Sequence, residues 1–247
     1  FISLQFDRII KPSRFNTTKL YNIHFSKLPA YKGVYTTAWP ILNGEVDSGV
    51  TLHRIDHGID TGDIIDQSNF KILHNETARS LYLKYLDEAK KLFDRNIANL
   101  LADEFDSIPQ SAAGSTYYSK KSIDYSNLYV DTNQTASTIG RQIRAYSFRE
   151  YQMPVISGVP IGSYSITDCR SAGALGSIQS VADGYILPTV DYDLFLTKDR
   201  SYAYFKAIEN EDANEILSLA EQGLNANIAN KKGWTPLMVT AYRGNID

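Results

Sequence analysis

Two short stretches of this chain hold side chains of complementary chemistry. In Asn22-Ile23-His24-Phe25-Ser26-Lys27-Leu28-Pro29-Ala30-Tyr31-Lys32-Gly33, an amide and an imidazole stand two residues apart. On a strand, that spacing sends both side chains out of one face. Pro29 and Gly33 then turn the chain away. In His53-Arg54-Ile55-Asp56-His57-Gly58-Ile59-Asp60-Thr61-Gly62-Asp63, a carboxylate, Asp60, stands in a glycine-bracketed loop between two strands. An amide donor, a proton-carrying imidazole and a carboxylate beside it are the equipment for moving an acyl group onto an amine without a metal. A lone Asn-x-His is more often an amide satisfying backbone groups beside an ordinary half-buried histidine. A carboxylate held in a loop on a rigid scaffold shifts that balance toward function.

The elements that must position these groups are legible in outline. Ile2–Phe6, Leu20–His24 and Gly49–Ile55 read as strands, with turns at Pro12-Ser13 and Asn43-Gly44. Leu81, Tyr85, Ala89, Leu92, Ile97 and Leu100 keep helical spacing and predict one amphipathic helix from Glu76 to Leu101, with Asn75 as its cap. Strands mixed with a long helix give the α/β class. Pro109 to Ser115 reads as a linker, Thr132 to Tyr146 as a second helix, and Val155 to Leu196 as a small β-rich subdomain. Helical texture returns from Ser201 to Asp247.

Composition narrows the class. The 247 residues allow one large or two modest domains, and the net charge of −3 argues against a nucleic-acid partner. No run of about 18 apolar residues suggests a membrane span. The single Cys169 rules out an internal disulfide and fits a reducing cytosol, so a cytoplasmic protein is expected. His53 and His57 are four apart, but Gly58 and Gly62 argue for a loop that does not aim both rings at one ion, so no metal is expected. The opening Phe1-Ile2-Ser3-Leu4 reads as a strand already in progress, as in a fragment.

With both motifs on the page, the chain resembles the folate-dependent formyltransferase family. An Asn-x-His-x-Ser-x-Leu-Pro-x-Tyr-x-Gly segment and a downstream Asp-Thr-Gly-Asp loop both stand here in order, over residues 1 to about 120. The resemblance implies a Rossmann-like core lacking its first βα units, about two or three of them at roughly 30 residues each. It implies 10-formyltetrahydrofolate as formyl donor and no metal. Asn22 is implied to stabilise the tetrahedral oxyanion, His24 to carry the proton, and Asp60 to pair with His24. Gln5, Phe6 and Asp7 are implied, with Asp60, to lie where the cofactor's pterin ring binds.

The branches of the family differ in acceptor. An element like Ile143-Arg144-Ala145-Tyr146-Ser147-Phe148-Arg149-Glu150-Tyr151 is similar to the branch that acts on nucleotide-linked amino sugars. Phe148 and Tyr151 are then expected to stack on the base, and Lys32 or Arg149 to meet the diphosphate; core packing is the plain alternative for the two rings. Gly233-Trp234-Thr235-Pro236-Leu237 and Gly244-Asn245 resemble ankyrin repeat helices, with Thr235 as cap and Pro236 where a missing N–H is harmless. That tail is similar to ankyrin-appended members acting on dTDP-4-amino-4,6-dideoxyglucose in surface-polysaccharide (O-antigen, lipopolysaccharide) synthesis. Trp234 is expected at the exposed tip of the ankyrin hairpin, either as a consensus residue or as an auxiliary ligand site for a second ligand or protein. The expected division is 1–115 catalytic core, 116–200 small mixed subdomain, and 201–247 ankyrin region, with a homodimer by family analogy. A formyltransferase acting on methionyl-tRNA or another amine, and a catalytically silent ankyrin binding module, remain the alternatives.

Overall fold

The structure, a computed structural model, describes residues 1–6, 8–221, 224, 227–230 and 232–244, with only the backbone at residue 202. These fall into two compact units, Phe1–Asn127 and Leu128–Asp247. Among the described residues, no helix is long and apolar enough to cross a membrane.

The first unit contains β1 (Ile2–Leu4), β2 (Tyr21–His24), β3 (Lys32–Gly33), the short helix α1 (Trp39–Leu42), β4 (Asp47–Arg54), β5 (Ile64–Lys71), α2 (Ala78–Ala102) and β6 (Tyr117–Tyr118). Its main sheet runs β1-β2-β4-β5, with β1 parallel to β2 and the other neighbours antiparallel. Strand alternation buries Tyr21 and Ile23 on one face of β2, and helix α2 covers the sheet with Leu81, Tyr85, Ala89 and Leu92. Tyr85 is fully buried because its hydroxyl is satisfied, by Ser48 Oγ at 2.6 Å and by the Thr36 carbonyl at 3.2 Å.

The cap of α2 is Thr77, not Asn75. The Thr77 backbone is extended, its hydroxyl accepts the Ser80 N–H, and Ser80 Oγ accepts the Thr77 N–H in return. This reciprocal box satisfies two orphan donors at once, which a cap at Asn75 does not. The helix therefore begins at Ala78 rather than Glu76. The boundary expected at residue 115 also lies elsewhere. Tyr117-Tyr118 pairs in parallel with Lys32-Gly33, so the first unit extends beyond residue 115.

The second unit holds α3 (Ala136–Tyr146), β7 (Val155–Ile156), β8 (Val159–Ile166), β9 (Gln179–Val181), β10 (Gly184–Leu187) and β11 (Leu194–Lys198), then α4 (Ser201–Glu209), α5 (Ala213–Glu221) and α6 (Pro236–Arg243). Thr135 caps α3 by accepting the Thr138 N–H, so the helix starts at Ala136 rather than near Thr132. Ile139 and Ile143 pack on Ile161, Leu187, Leu194 and Leu196 of a five-stranded antiparallel sheet in the order β7-β8-β11-β10-β9. The tail helices close over their own cluster of Tyr204, Phe205, Ile208, Leu219, Ile228 and Val239. Thr235 caps α6 through the Met238 N–H, and Pro236 opens the helix. Trp234 is not an exposed tip. It is half-buried against that cluster, and its backbone N–H donates to Asn230 Oδ1.

Candidate active site

The register of the sheet assembles the site. Residue Asn22 of β2 lies opposite His53 of β4, and His24 opposite Thr51. Strand period then places Asn22, His24 and His53 on one face. A register irregularity at Leu52/His53 in the β4–β5 pairing marks the same point. Beyond β4 the chain enters the Asp56–Asp63 loop, where Asp60 adopts a left-handed φ of 54°. Gly62 permits the loop's return, since a Cβ there would lie 2.0 Å from the Arg54 carbonyl oxygen. Asp56 braces the loop from within, accepting the Gly58 N–H at 3.0 Å and the Thr61 hydroxyl at 2.7 Å.

Asp60 thereby reaches Gly33, His24 and Asn22, with His53 Nε2 3.6 Å from its Oδ1. Its Oδ2 accepts the Gly33 N–H at 2.9 Å and lies 3.5 Å from His24 Nδ1, while Oδ1 accepts from Asn22 Nδ2 at 3.4 Å. Gly33 has a φ of 90°, and a Cβ on it would meet the Tyr118 carbonyl oxygen at 2.1 Å, so only glycine brings that N–H to the carboxylate. His24 Nε2 donates to the Tyr31 carbonyl at 2.8 Å. Sequence reasoning dismissed His53 as a metal ligand and missed its place here. Its Nδ1 lies 2.7 Å from the Arg54 carbonyl, so Nδ1 carries the proton and Nε2 accepts from Asn22 Nδ2 at 3.2 Å. The only sequence signal for it was strand periodicity counted from Thr51. His57 stays exposed, and among the described residues no cluster of metal-ligating side chains forms.

Electrostatics follow from burial. Desolvation pulls the His24 pKa below its usual 6.5, although the Asp60 charge and the Tyr31 carbonyl oppose it. Burial alone raises the Asp60 pKa, but the His53 ring, whose Nε2 lies 3.6 Å from Oδ1, the His24 charge and the Gly33 N–H outweigh it and bring it down to about 2. Both shifts are downward, so both contributions to stability exist above the unfolded-state pKa and are lost as pH falls through the folded value. Acid titration should therefore weaken the fold first below the ordinary His range. A second loss follows between about pH 4 and pH 2, worth roughly 2 kcal/mol and absent in Asp60→Asn. Urea unfolding across that pH range checks this; equal acid sensitivity of the two proteins contradicts it.

The cluster opens into a cavity of about 500 Å³ lined by Asn22, His24, His53 and Asp60, and also by Gln5 and Phe6. Asp7 lies outside the described residues. Lys32 is not among the lining residues, whereas Arg8 and Lys120 are. Phe148, Arg149 and Tyr151 belong to the second unit. There the Phe148 and Tyr151 rings pack 4.9 Å apart, and Arg149 Nη2 lies 3.4 Å from Asp199 Oδ1. Arg149, Tyr151 and Trp234 line a second cavity of about 880 Å³ that Phe148 does not reach. Replacing His53 with Phe keeps the ring and removes the Nε2 acceptor. The Asn22 amide is then free to turn, and kcat should fall about tenfold with both KM values little changed, as expected for a misplaced group. Steady-state kinetics of the two proteins decide it.

Residues 4–97 match the family model described as formyl transferase. A crystal structure of an N-formyltransferase from Helicobacter canadensis, in complex with folinic acid and dTDP-3-aminofucose, shares 41% identity at a TM-score of 0.73, covering 80% of this chain and 73% of that one. A second, WlaRD, a sugar 3N-formyltransferase with dTDP and 5-N-formyl-THF, shares 40% identity at a TM-score of 0.73, covering 81% and 72%. The bifunctional polymyxin resistance protein ArnA of Wigglesworthia glossinidia brevipalpis is 34% identical over 125 residues, 51% of this chain; the chain spans only 19% of that relative's length.

Proposed function

The chain belongs to the sugar N-formyltransferase family, and from that premise we propose that it moves a formyl group from 10-formyltetrahydrofolate to the amine of a dTDP-linked amino sugar. The observation that carries this reading is the closure of Asn22, His24 and Asp60 on one cavity whose wall also holds Gln5 and Phe6. The apolar side chains of Ile9, Ile10, Val34, Ile55 and Ile59 on the same wall suit a flat heterocycle.

In this proposal the acceptor amine attacks the formyl carbon, and the carbonyl oxygen takes up negative charge. Asn22 donates an N–H to that oxygen by releasing its long 3.4 Å contact with Asp60 while His53 keeps the amide in place. His24, held neutral by burial, takes the proton from the attacking nitrogen. Asp60 stabilises the imidazolium so formed, and the proton then passes to the nitrogen of the donor as its bond to the formyl carbon breaks. Positioning both reactants in line supplies a further share of the rate.

The position of the amine is the finer question. Two relatives of about 40% identity are described with 3-amino sugars or as 3N-formyltransferases, so dTDP-3-amino sugars belong in the assay beside the 4-amino-4,6-dideoxyglucose derivative expected from the tail. The proposal takes residues 201–247 as an ankyrin-type unit in surface-polysaccharide synthesis, on the support of a Thr235-Pro236 helix start and the paired helices α4 and α5. It also includes a homodimer, which sedimentation velocity checks. Assay of the full-length protein with 10-formyltetrahydrofolate and a panel of acceptors tests the main reading. Turnover with charged tRNA alone overturns the acceptor, and no turnover with any amine leaves the binding-module alternative.

Trp234 carries a subsidiary proposal of an auxiliary site. Its ring packs 4.9 Å from Tyr242 with the Lys232 ammonium 5.5 Å away, on the wall that Arg149 and Tyr151 share. Titration of a dTDP-sugar by calorimetry should give one fewer equivalent bound for Trp234→Ala than for the parent. Identical stoichiometry in both proteins defeats it.

A further inference from the structure

We propose that Gln110 is a positioning residue of the formyl-transfer site, reaching from the stretch read as a linker to hold the Asp60 loop in its reactive shape. This rests on the functional reading above. The Gln110 side-chain amide donates to two carbonyls of that loop, Asp60 O at 2.9 Å and Gly62 O at 2.8 Å. Two acceptors force the amide orientation, because only Nε2 carries hydrogens. Its own Oε1 is buried and has no hydrogen-bond partner among the described residues. An amide that leaves its acceptor unsatisfied to keep both donors on one loop points to a demand for that loop conformation.

The demand is visible at Asp60 itself. Its left-handed φ of 54° is disfavoured for a residue with a side chain, so something outside the residue must over-determine it. Asp56 braces the loop on both sides of Asp60, at Gly58 and Thr61. Gln110 supplies the brace at the two carbonyls on either side of Thr61. The residues just after that stretch then fix the facing turn. Thr116 Oγ1 accepts the Tyr31 N–H at 2.7 Å, the Thr116 carbonyl accepts the Lys32 N–H at 2.9 Å, and the Tyr118 carbonyl accepts the Val34 N–H at 3.0 Å. Tyr31 and Gly33 contact His24 and Asp60 respectively. Residues 110–118 thus tie together the loop that carries the carboxylate and the turn that faces it. Gln110 is the member whose side chain acts on the Asp60 loop.

The test compares Gln110→Ala and Gln110→Met with the parent in the full-length protein. Met keeps the length and bulk of the side chain and removes the donors, separating lost hydrogen bonds from lost packing. In both variants kcat should fall about tenfold to a hundredfold while KM for donor and acceptor stays within about twofold, the pattern of a misplaced catalytic group. The second readout needs no turnover. Asp60 and His53 are the titratable groups in contact with His24, and Arg8, Asp56 and Lys120 stand on the surrounding cavity wall. Displacing Asp60 removes the nearest negative charge, so the NMR titration of the His24 ring should move to lower pH in both variants. An unmoved His24 titration, or a Met variant with the parent's kcat, overturns the inference. A parent without formyl-transfer activity but with the His24 shift in the variants defeats the functional reading and leaves the positioning role intact.

Discussion

Asp60→Asn should lower kcat about 10³-fold, within the range for loss of a proton-transfer partner. The three contacts of the carboxylate cannot all be kept. The carboxylate no longer opposes the burial that disfavours a charged His24, so the imidazolium formed during proton transfer loses its nearest counter-charge. An Asn at this position must also choose. If its oxygen accepts the Gly33 N–H, as Asp60 Oδ2 does, its NH2 faces the Asn22 amide, and two donors oppose each other. If it turns over, the Gly33 N–H is left facing a donor. Binding of either substrate does not depend on the charge, so KM should change little. The acid limb of the kcat profile should move to lower pH, because His24 without Asp60 is harder to protonate. A kcat within tenfold of the parent, with that limb unmoved, contradicts the role assigned to Asp60.

Asn22→Leu should cost about 10²–10³ in kcat, or roughly 3–4 kcal/mol of transition-state stabilisation, the usual consequence of removing one oxyanion donor. Leu has nearly the shape of Asn and no donor, so substrate affinity should be nearly preserved while kcat and kcat/KM fall together. Asn22→Asp is the sharper comparison. It also lacks the donor but sets a second carboxylate beside Asp60, across a contact of 3.4 Å in the parent. Two like charges at that separation cannot both ionise freely, and one pKa rises. The Asp variant should therefore be slower than the Leu variant at neutral pH and should gain on it as pH falls. Equal rates for the two variants at all pH values exclude a charge-sensitive oxygen site at Asn22.

What was legible in the sequence was local. Strand alternation put Asn22 and His24 on one face, and the spacing of Leu81, Tyr85, Ala89 and Leu92 announced α2 and its buried side. The glycines around Asp60 marked a loop in which a carboxylate can be displayed. Each of these follows from side-chain geometry within a few residues, which a linear pattern encodes directly. The cap of α2 was misplaced because Asn75 and Thr77 are both good caps. The choice fell to Ser80, whose hydroxyl closes the reciprocal box. Trp234 was misplaced because the burial of a ring depends on what packs beside it, here the cluster of α4, α5 and α6.

The sequence alone determined which groups are offered for the proposed chemistry: an amide, an imidazole and a carboxylate, each on an element that displays it. Only the tertiary structure decided which atoms meet. The pairing of Asn22 with His53 depends on the register between β2 and β4, set by the burial of Tyr21 and Ile23 on one strand and Leu52 on the other. The reach of Gln110 to the carbonyls of Asp60 and Gly62 depends on where a stretch without periodicity is pinned. Such contacts join residues far apart in the chain, and a slip of one residue in the sheet would turn every side chain of the strand to the other face. A linear pattern therefore specifies the faces, and the folded sheet selects the partners.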